Sequence, residues 1–131
     1  MDCVAKHAPG LEAYARASYG SPSNLYFGKF RLQSSSGVQQ GDPLGQLLFA
    51  ISIFHLSNAV LTSFSVWYLD DATLGGNLAQ IVKEIRRIKE EAGLIGLELN
   101  NTKCESISKS ELFNTAVEAI LPGSKNVDPN D

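Results

Sequence analysis

The stretch VWYLDDATLGG, residues 66–76, decides the fold. Its first four residues are apolar, β-branched or aromatic, which favours a short strand, and three further residues continue in strand style up to two glycines. Asp70 and Asp71 lie between these two runs, where one strand would turn into the next. The sequence therefore predicts a β-hairpin that carries two adjacent carboxylates at its tip.

Paired carboxylates at a stiff turn allow metal-dependent chemistry. Mg²⁺ prefers carboxylate oxygens, and two acids at a hairpin tip are placed to bind ions that bridge a triphosphate. An Asp-Asp pair is also ordinary turn chemistry without any ligand. The segments on either side have to decide between these two interpretations.

A helix is predicted on each side of this hairpin. Upstream, residues 44–61 follow Pro43 and are apolar nearly all round, which indicates a buried helix, and the polar residues among them argue against a membrane span. Downstream, Asn77 is placed to cap a helix that ends at Gly93. Its apolar positions recur in steps of three and four residues: Leu78, Ile81, Val82, Ile85, Ile88 and Ala92.

The other face of the downstream helix is charged. Arg86 with Glu90 and Arg87 with Glu91 are spaced as i,i+4 ion pairs. Both signs of charge alternate there, so we interpret this face as solvated rather than as a nucleic-acid contact.

Shorter elements complete the prediction. Residues 1–7 and 11–19 read as helical, with Gly20 ending the second helix, and residues 25–27 and 30–32 read as a hairpin that turns at residues 28–29. A short strand is expected at residues 97–99, and the polar chain from residue 123 is expected either to fray or to continue into a domain that is missing here. The predicted fold class is α+β, with a small antiparallel sheet that contains the Asp70–Asp71 hairpin and is backed by two helices.

Composition bounds the function. The chain has 131 residues, 44% of them hydrophobic, which allows one modest core, and its net charge of −3 provides no overall basic field for binding nucleic acid. Cys3 and Cys104 lie far apart in the sequence, so neither a zinc site nor a disulfide framework is indicated. Without a recognisable signal peptide or membrane span, we expect an intracellular protein with no membrane partner.

Three further segments follow one another in the chain: SGVQQGDPLG at residues 36–45, WYLDD at residues 67–71, and GLELN at residues 96–100 with Lys103. In this order they resemble motifs B, C and D of the palm of reverse transcriptases from non-LTR retrotransposons, in which the core of motif B is Gln-Gly-x-Pro. Viral RNA-directed RNA polymerases share the double aspartate but have a different motif B. The resemblance implies a polymerase palm fold and RNA-directed DNA polymerisation.

The resemblance also implies roles for single residues. Asp70 and Asp71 would be catalytic ligands of two Mg²⁺ ions, for which Mn²⁺ can substitute, and Lys103 would lie near the leaving pyrophosphate. From chemistry alone, Lys103 is an ordinary surface lysine. The implied partners are a dNTP and an RNA template with a DNA primer. The residues expected to line the nucleotide and template pocket are Gln40, Gly41, Asp42, Pro43 and Tyr68.

Motif A of that family, a strand with a further metal-binding aspartate, has no counterpart in this sequence. We therefore expect residues 1–108 to be a partial fingers and palm domain, and residues 109–131 to be a short helix and polar tail leading towards a missing downstream region. The chain by itself is expected to be inactive as a polymerase. The alternatives are a non-catalytic remnant or domesticated fragment that serves as a binding module, and a truncated gene model.

Aromatic and histidine side chains add two smaller expectations. Tyr14, Tyr19, Tyr26 and Phe27 would suit base stacking, but packing in the core or within the hairpin is the favoured interpretation. His7 and His55 have no metal-ligand partners at helical spacing, so they are expected to be structural.

Overall fold

Three clusters of buried side chains form the cores of the part of the chain that the structure describes. The computed structural model describes residues 2–39 and 41–130. It divides into two units, residues 1–55 and 56–131, and both helices and strands occur in each. This mixed α and β content agrees with the predicted α+β class. The division tests nothing about the polymerase domain boundary placed at residue 108, which stays a prediction.

The first unit contains two short helices, a hairpin and most of a long helix. Helix α1 covers Asp2–His7, and α2 covers Glu12–Tyr19 after a 3-10 turn at Pro9–Leu11. Strands β1, Ser23–Phe27, and β2, Phe30–Ser34, follow, and then helix α3, Gly45–Asn58, whose last turn belongs to the second unit. The bounds of these elements match the helices and the hairpin that the sequence predicts. Helix α3, however, is not buried all round as expected, since Leu47 and Phe54 are 46% and 44% exposed.

The core of the first unit is small. It is formed by Val4 of α1, Ala15 of α2, and Leu48 and Ile51 of α3. The backbone N–H of Gly20 donates to the carbonyl of Arg16 and ends α2, as predicted. Four buried side chains make a limited core, so this cluster contributes little to the stability of the β1–β2 hairpin.

The second unit is built around one amphipathic helix. Strands β3, Phe64–Tyr68, and β4, Asp71–Gly75, lead into helix α4, Leu78–Leu94. The Asn77 side chain accepts a hydrogen bond from the backbone N–H of Gln80 at 3.0 Å, which confirms the predicted cap. One face of α4 packs against helix α5, Glu111–Ile120, and another face packs beneath β3 and β4.

Two expectations for the second unit are wrong. Residues 97–99 do not form a strand; Leu97 and Leu99 pack against the α4 core from an irregular segment. The tail beyond residue 123 contains strand β6, Lys125–Val127, which pairs in parallel with β5, Glu105–Ile107. Helix α5 makes the crossover that a parallel pair requires, and so the tail is held instead of frayed.

The strands of the described residues pair only two at a time. The β1–β2 and β3–β4 pairs are antiparallel hairpins, and β5–β6 is the parallel pair. The small antiparallel sheet predicted around Asp70 and Asp71 is therefore one hairpin. Of the helices in residues 2–39 and 41–130, none combines the length and the apolar character needed to cross a membrane.

Candidate functional site

The β3–β4 hairpin, called the aspartate hairpin here and comprising residues 64–75, carries both candidate carboxylates. Tyr68 pairs with Asp71, so Leu69 and Asp70 form a two-residue turn. Leu69 has a φ of 53°, a left-handed conformation that costs a non-glycine residue free energy. The β1–β2 hairpin has the same turn length but places Gly28, with a φ of 58°, at the equivalent position. The backbone is therefore strained next to the two aspartates.

Both carboxylates point into solvent. Asp70 and Asp71 are exposed, and neither accepts a hydrogen bond or forms an ion pair within the part of the chain that the structure describes. Two adjacent negative charges repel each other, and a bound cation would offset that repulsion. The predicted position at a hairpin tip is confirmed.

The base of the aspartate hairpin is held by α4. Trp67 and Leu74 pack against a cluster formed by Leu56, Ile88 and Ala92, and the Trp67 Nε1–H donates to Ser65 Oγ at 3.0 Å. Side chains alternate along a strand, so Trp67 faces this cluster while its neighbour Tyr68 faces away. The hairpin therefore has a fixed inner face and a free tip.

The donor chemistry of the tip suits a hard divalent cation, but only in part. Carboxylate oxygens are the ligands that Mg²⁺ and Mn²⁺ prefer. Among residues 2–39 and 41–130, no group of three or more histidine, cysteine, aspartate or glutamate side chains is placed to hold a metal ion. The described residues thus offer two carboxylates here, and a bound ion would take its other ligands from outside these residues.

Two further candidate residues belong to the same unit. Tyr68 is 74% exposed and lies directly across from Asp71, so its ring is available to a ligand at the hairpin tip. Lys103 is exposed at the end of a 3-10 turn, Asn101–Lys103. Its backbone N–H donates to the Asn100 carbonyl at 3.0 Å, while its ammonium group is solvated.

The motif B candidates lie in the first unit, in the loop before α3. Gly41 has a φ of 90°, a conformation that favours glycine, and Gly41 and Pro43 are both exposed. Gln40 lies outside the described residues. The structure therefore places the remaining motif B candidates in a loop that turns at Gly41.

Asp42 is the anchor of this loop. One of its carboxylate oxygens accepts hydrogen bonds from the Tyr14 hydroxyl and from the backbone N–H of Leu44, each at 2.9 Å, and the other accepts from the Tyr19 hydroxyl. The Tyr19 oxygen in turn accepts from the backbone N–H of Gln39 at 3.2 Å. Helix α2 thus holds both ends of the turn, and Asp42 is the residue through which it does so.

This network lowers the pKa of Asp42. The Tyr19 hydroxyl is the largest cause, followed by the Leu44 N–H and, less strongly, the Tyr14 hydroxyl, because each donates to the ionised form. The hydrogen bond to Asp42 raises the pKa of Tyr19 correspondingly. Since the pKa of Asp42 is lower in the folded state than in the unfolded state, its contribution to stability is present above the ordinary value of 3.8 and is lost as the pH falls through the folded value.

We expect Tyr19→Phe to raise the pKa of Asp42 towards its ordinary value, because the strongest donor to the carboxylate is lost. Tyr14→Phe should raise it less, and Tyr26→Phe, which changes an exposed tyrosine of β1, should leave it unchanged. A ¹³C NMR titration of the Asp42 carboxyl carbon measures all three. Equal midpoints for the wild type and Tyr19→Phe would contradict the network.

Some expectations about single side chains are revised. Tyr14 and Tyr19 serve the Asp42 network, whereas Tyr26 and Phe27 are exposed at 73% and 77% and are not packed as expected. The two histidines do contact each other: the Nε2 atoms of His7 and His55 lie 3.2 Å apart. These contacts join residues far apart in the sequence, so no local pattern could have predicted them.

Comparison of this chain with family models, with curated proteins and with solved structures finds no match. The resemblance to reverse transcriptases therefore depends on the motifs and their order, and it stays a prediction.

Proposed function

We propose that this chain is part of a reverse-transcriptase palm in which Asp70 and Asp71 hold the metal ions for RNA-directed DNA polymerisation. One observation carries the proposal: two adjacent carboxylates, with no partner among the residues that the structure describes, project from the tip of a hairpin whose inner face is packed on α4. A two-metal centre needs carboxylates held in a defined geometry and open to substrate. The order of the three motifs is the reason for assigning this chemistry to the reverse-transcriptase family.

The roles of the residues follow from the chemistry of nucleotidyl transfer. The carboxylate oxygens of Asp70 and Asp71 would hold divalent cations, which supply charge neutralisation for attack by a primer 3′-hydroxyl on a dNTP. The exposed ring of Tyr68 offers an apolar surface beside Asp71 for the sugar or base of the nucleotide. Lys103 provides a solvated cation of the kind that neutralises a leaving pyrophosphate.

The motif B loop would contribute binding surface. With Asp42 engaged by Tyr14, Tyr19 and the Leu44 N–H, the loop is anchored between Gly41 and Pro43, which are exposed on either side. A preformed loop costs less free energy to order when a nucleotide and template bind. Gln40 and Gly41 are assigned to the nucleotide and template pocket on the family resemblance.

Paramagnetic Mn²⁺ is the sharpest probe of the proposed metal site. We expect titration with Mn²⁺ to broaden the backbone amide NMR signals of residues 69–73 first, and excess Mg²⁺ to reverse the broadening, since both ions prefer oxygen ligands. Asp70→Asn and Asp71→Asn should each remove most of this effect, because the amide keeps the shape of the side chain but not its charge.

Asp128→Asn is the matched control, because Asp128 is an exposed aspartate of the same unit, far from the hairpin in sequence. It should leave the broadening at residues 69–73 unchanged. If the wild type and Asp70→Asn show the same pattern of broadening, the aspartate hairpin does not hold metal and the proposal fails.

A further inference from the structure

His7 and His55 are the two histidines of the chain, and they meet at the surface of the first unit. His7 ends α1, and His55 lies near the end of α3, 48 residues further along the chain. Their Nε2 atoms lie 3.2 Å apart, and both side chains are exposed. Two imidazole nitrogens from separate helices therefore come together at a place that solvent can reach.

The packing of the two helices holds this pair of rings. Val4 of α1 and Ile51 of α3 belong to the buried cluster of the first unit. His7 follows Val4 by three residues and His55 follows Ile51 by four, so each histidine continues the buried face of its helix. The His7 ring also lies against the Phe54 ring, with the ring centres 4.9 Å apart. The imidazoles are thus presented by packed helices instead of loops.

A straight hydrogen bond does not describe this pair. The centres of the two imidazole rings are 5.0 Å apart, and the ring planes are inclined by 65°. A straight N–H···N bond of 3.2 Å would hold the ring centres further apart, because each centre would lie behind its nitrogen on the same line. The rings are therefore tilted relative to the line that joins the two nitrogens.

The separation of the nitrogens suits a shared transition-metal ion. Zinc binds imidazole nitrogen at about 2.0–2.1 Å, and two nitrogens at that distance from one ion and 3.2 Å apart enclose an angle of about 100° at the metal. This angle is close to the tetrahedral geometry that zinc adopts in proteins. The χ2 torsion of histidine is broad, so each ring can turn towards the ion while the helices stay in place.

We propose that His7 and His55 bind one divalent transition-metal ion of the zinc type, and that this ion links α1 to α3. Imidazole is a preferred ligand of Zn²⁺, whereas Mg²⁺ prefers oxygen ligands. Both rings carry their proton on Nδ1 in the metal-bound state, so the ring that donates from Nε2 in the metal-free pair exchanges that proton to Nδ1 through solvent. Within residues 2–39 and 41–130 no third such ligand joins them, so the ion takes its other ligands from outside these residues.

The bound ion would stabilise the weakest part of the first unit. Helix α1 has six residues, fewer than an isolated helix needs to be stable in water, and the buried cluster that holds it is small. An ion that needs both histidines binds only while α1 lies on α3. Binding therefore favours that arrangement by mass action.

The inference does not depend on the proposed polymerase function. His7 and His55 belong to the first unit, whereas Asp70 and Asp71 belong to the second. Asp70→Asn should leave Zn²⁺ binding at the histidines unchanged, and His7→Gln should leave the Mn²⁺ broadening at residues 69–73 unchanged. Failure of the polymerase proposal and failure of this one can therefore be told apart.

Titration with Zn²⁺, followed by the NMR signals of the imidazole rings, tests the proposal, because the chain has only these two histidines. We expect both rings to shift with the same midpoint, since one ion binds both. His7→Gln and His55→Gln should each weaken binding at least tenfold, because losing even a partner that orients a metal ligand costs about 10–100-fold in affinity. Cys3→Ser is the matched control: Cys3 lies four residues before His7 on α1, and its replacement should leave the affinity unchanged.

Hydrogen exchange measures whether the ion links the two helices. The backbone N–H of Ala8 donates to the Val4 carbonyl at 2.8 Å and exchanges when the end of α1 opens. At a free Zn²⁺ concentration of about ten times the Kd, this exchange should slow about tenfold in the wild type, because the ion has to leave before the helix opens. In His55→Gln, which leaves the sequence of α1 intact, Zn²⁺ should not slow it.

Three results would overturn the proposal. Equal Zn²⁺ affinities of the wild type and His55→Gln would show that the two histidines do not share an ion. Two different midpoints for the two rings would show separate sites with one histidine each. A loss of affinity in Cys3→Ser as large as that in His7→Gln would place the ion on α1 alone, with no link to α3.

Discussion

Arg87→Ala is expected to lower the free energy of unfolding of the second unit by about 3–5 kcal/mol, the cost of leaving a buried charge without its partner. Glu84 is 2% exposed, and its Oε2 lies 2.9 Å from Arg87 Nε. Arg87 also donates to Glu91 at 2.8 Å and to the Leu56 carbonyl at 3.3 Å, so it links α4 to the end of α3. Without Arg87, the Glu84 carboxylate would remain buried in the unit and would lose its ion-pair partner.

Arg87 remains charged in this position. Burial by itself would lower the pKa of Arg87, but the hydrogen bonds to Glu91 and Glu84 outweigh that effect and raise it. The interaction is therefore an ion pair at every pH at which the glutamates are ionised. For this reason, Arg87→Ala should lower the free energy of unfolding by more than the loss of one neutral hydrogen bond would.

Urea denaturation followed by Trp67 fluorescence measures the effect, because Trp67 is the single tryptophan of the chain and lies in the second unit. Arg86→Ala, one position along the helix and exposed, is the control and should change stability by less than about 0.5 kcal/mol. Glu84→Leu/Arg87→Leu should recover most of the loss, since it removes both charges together. Equal destabilisation by Arg86→Ala and Arg87→Ala would contradict this account.

Ile88→Ala should destabilise the same unit by about 2–5 kcal/mol, since it removes buried methyl and methylene groups and leaves a cavity. Ile88 is 5% exposed and packs with Leu56 and Ala92 beneath Trp67 and Leu74. The cavity would open directly under the aspartate hairpin. We therefore expect a second effect, a red shift of Trp67 emission in the folded state as water reaches the ring.

Leu94→Ala tests whether burial is the cause. Leu94 ends the same helix but is 86% exposed, so its truncation should change stability little. The Trp67 fluorescence reports both variants in the same urea titration. A loss for Leu94→Ala as large as that for Ile88→Ala would show that the helix itself, and not the cluster beneath the hairpin, determines the stability.

Elements with strong local signals could be predicted from the sequence. Helix α4 combines an apolar period with an Asn77 cap, and the aspartate hairpin combines two strand-like runs with a two-residue turn. In both cases the information lies within the element itself, over a window of about 11–18 residues. The position of Asp70 and Asp71 at a hairpin tip follows from the same local pattern.

Elements that depend on distant partners could not be predicted in this way. Strands β5 and β6 have three residues each, too few for a periodic signal, and exist because they pair with each other across α5. Residues 97–99 alternate apolar and polar side chains like a strand but have no partner strand. Their backbone conformation was decided by the packing of Leu97 and Leu99 against α4.

The charged face of α4 lies between these cases. The Arg87–Glu91 pair follows from i,i+4 spacing and is confirmed at 2.8 Å. Glu84, however, lies three residues after Ile81 and four before Ile88, on the apolar stripe, and this spacing was the available signal that it is buried. A solvated face was therefore only part of the correct description.

By itself, the sequence determined the aspartate hairpin, the helix that supports it and the motif order that suggests a polymerase, because each is specified by neighbouring residues. Only the tertiary structure decided that Asp42 is held by Tyr14 and Tyr19, that Glu84 is buried with Arg87, and that the side chains of the β1–β2 hairpin are exposed. Burial and long-range hydrogen bonds depend on which surfaces come into contact when the chain folds. A pattern of residue types along the chain does not specify those tertiary contacts.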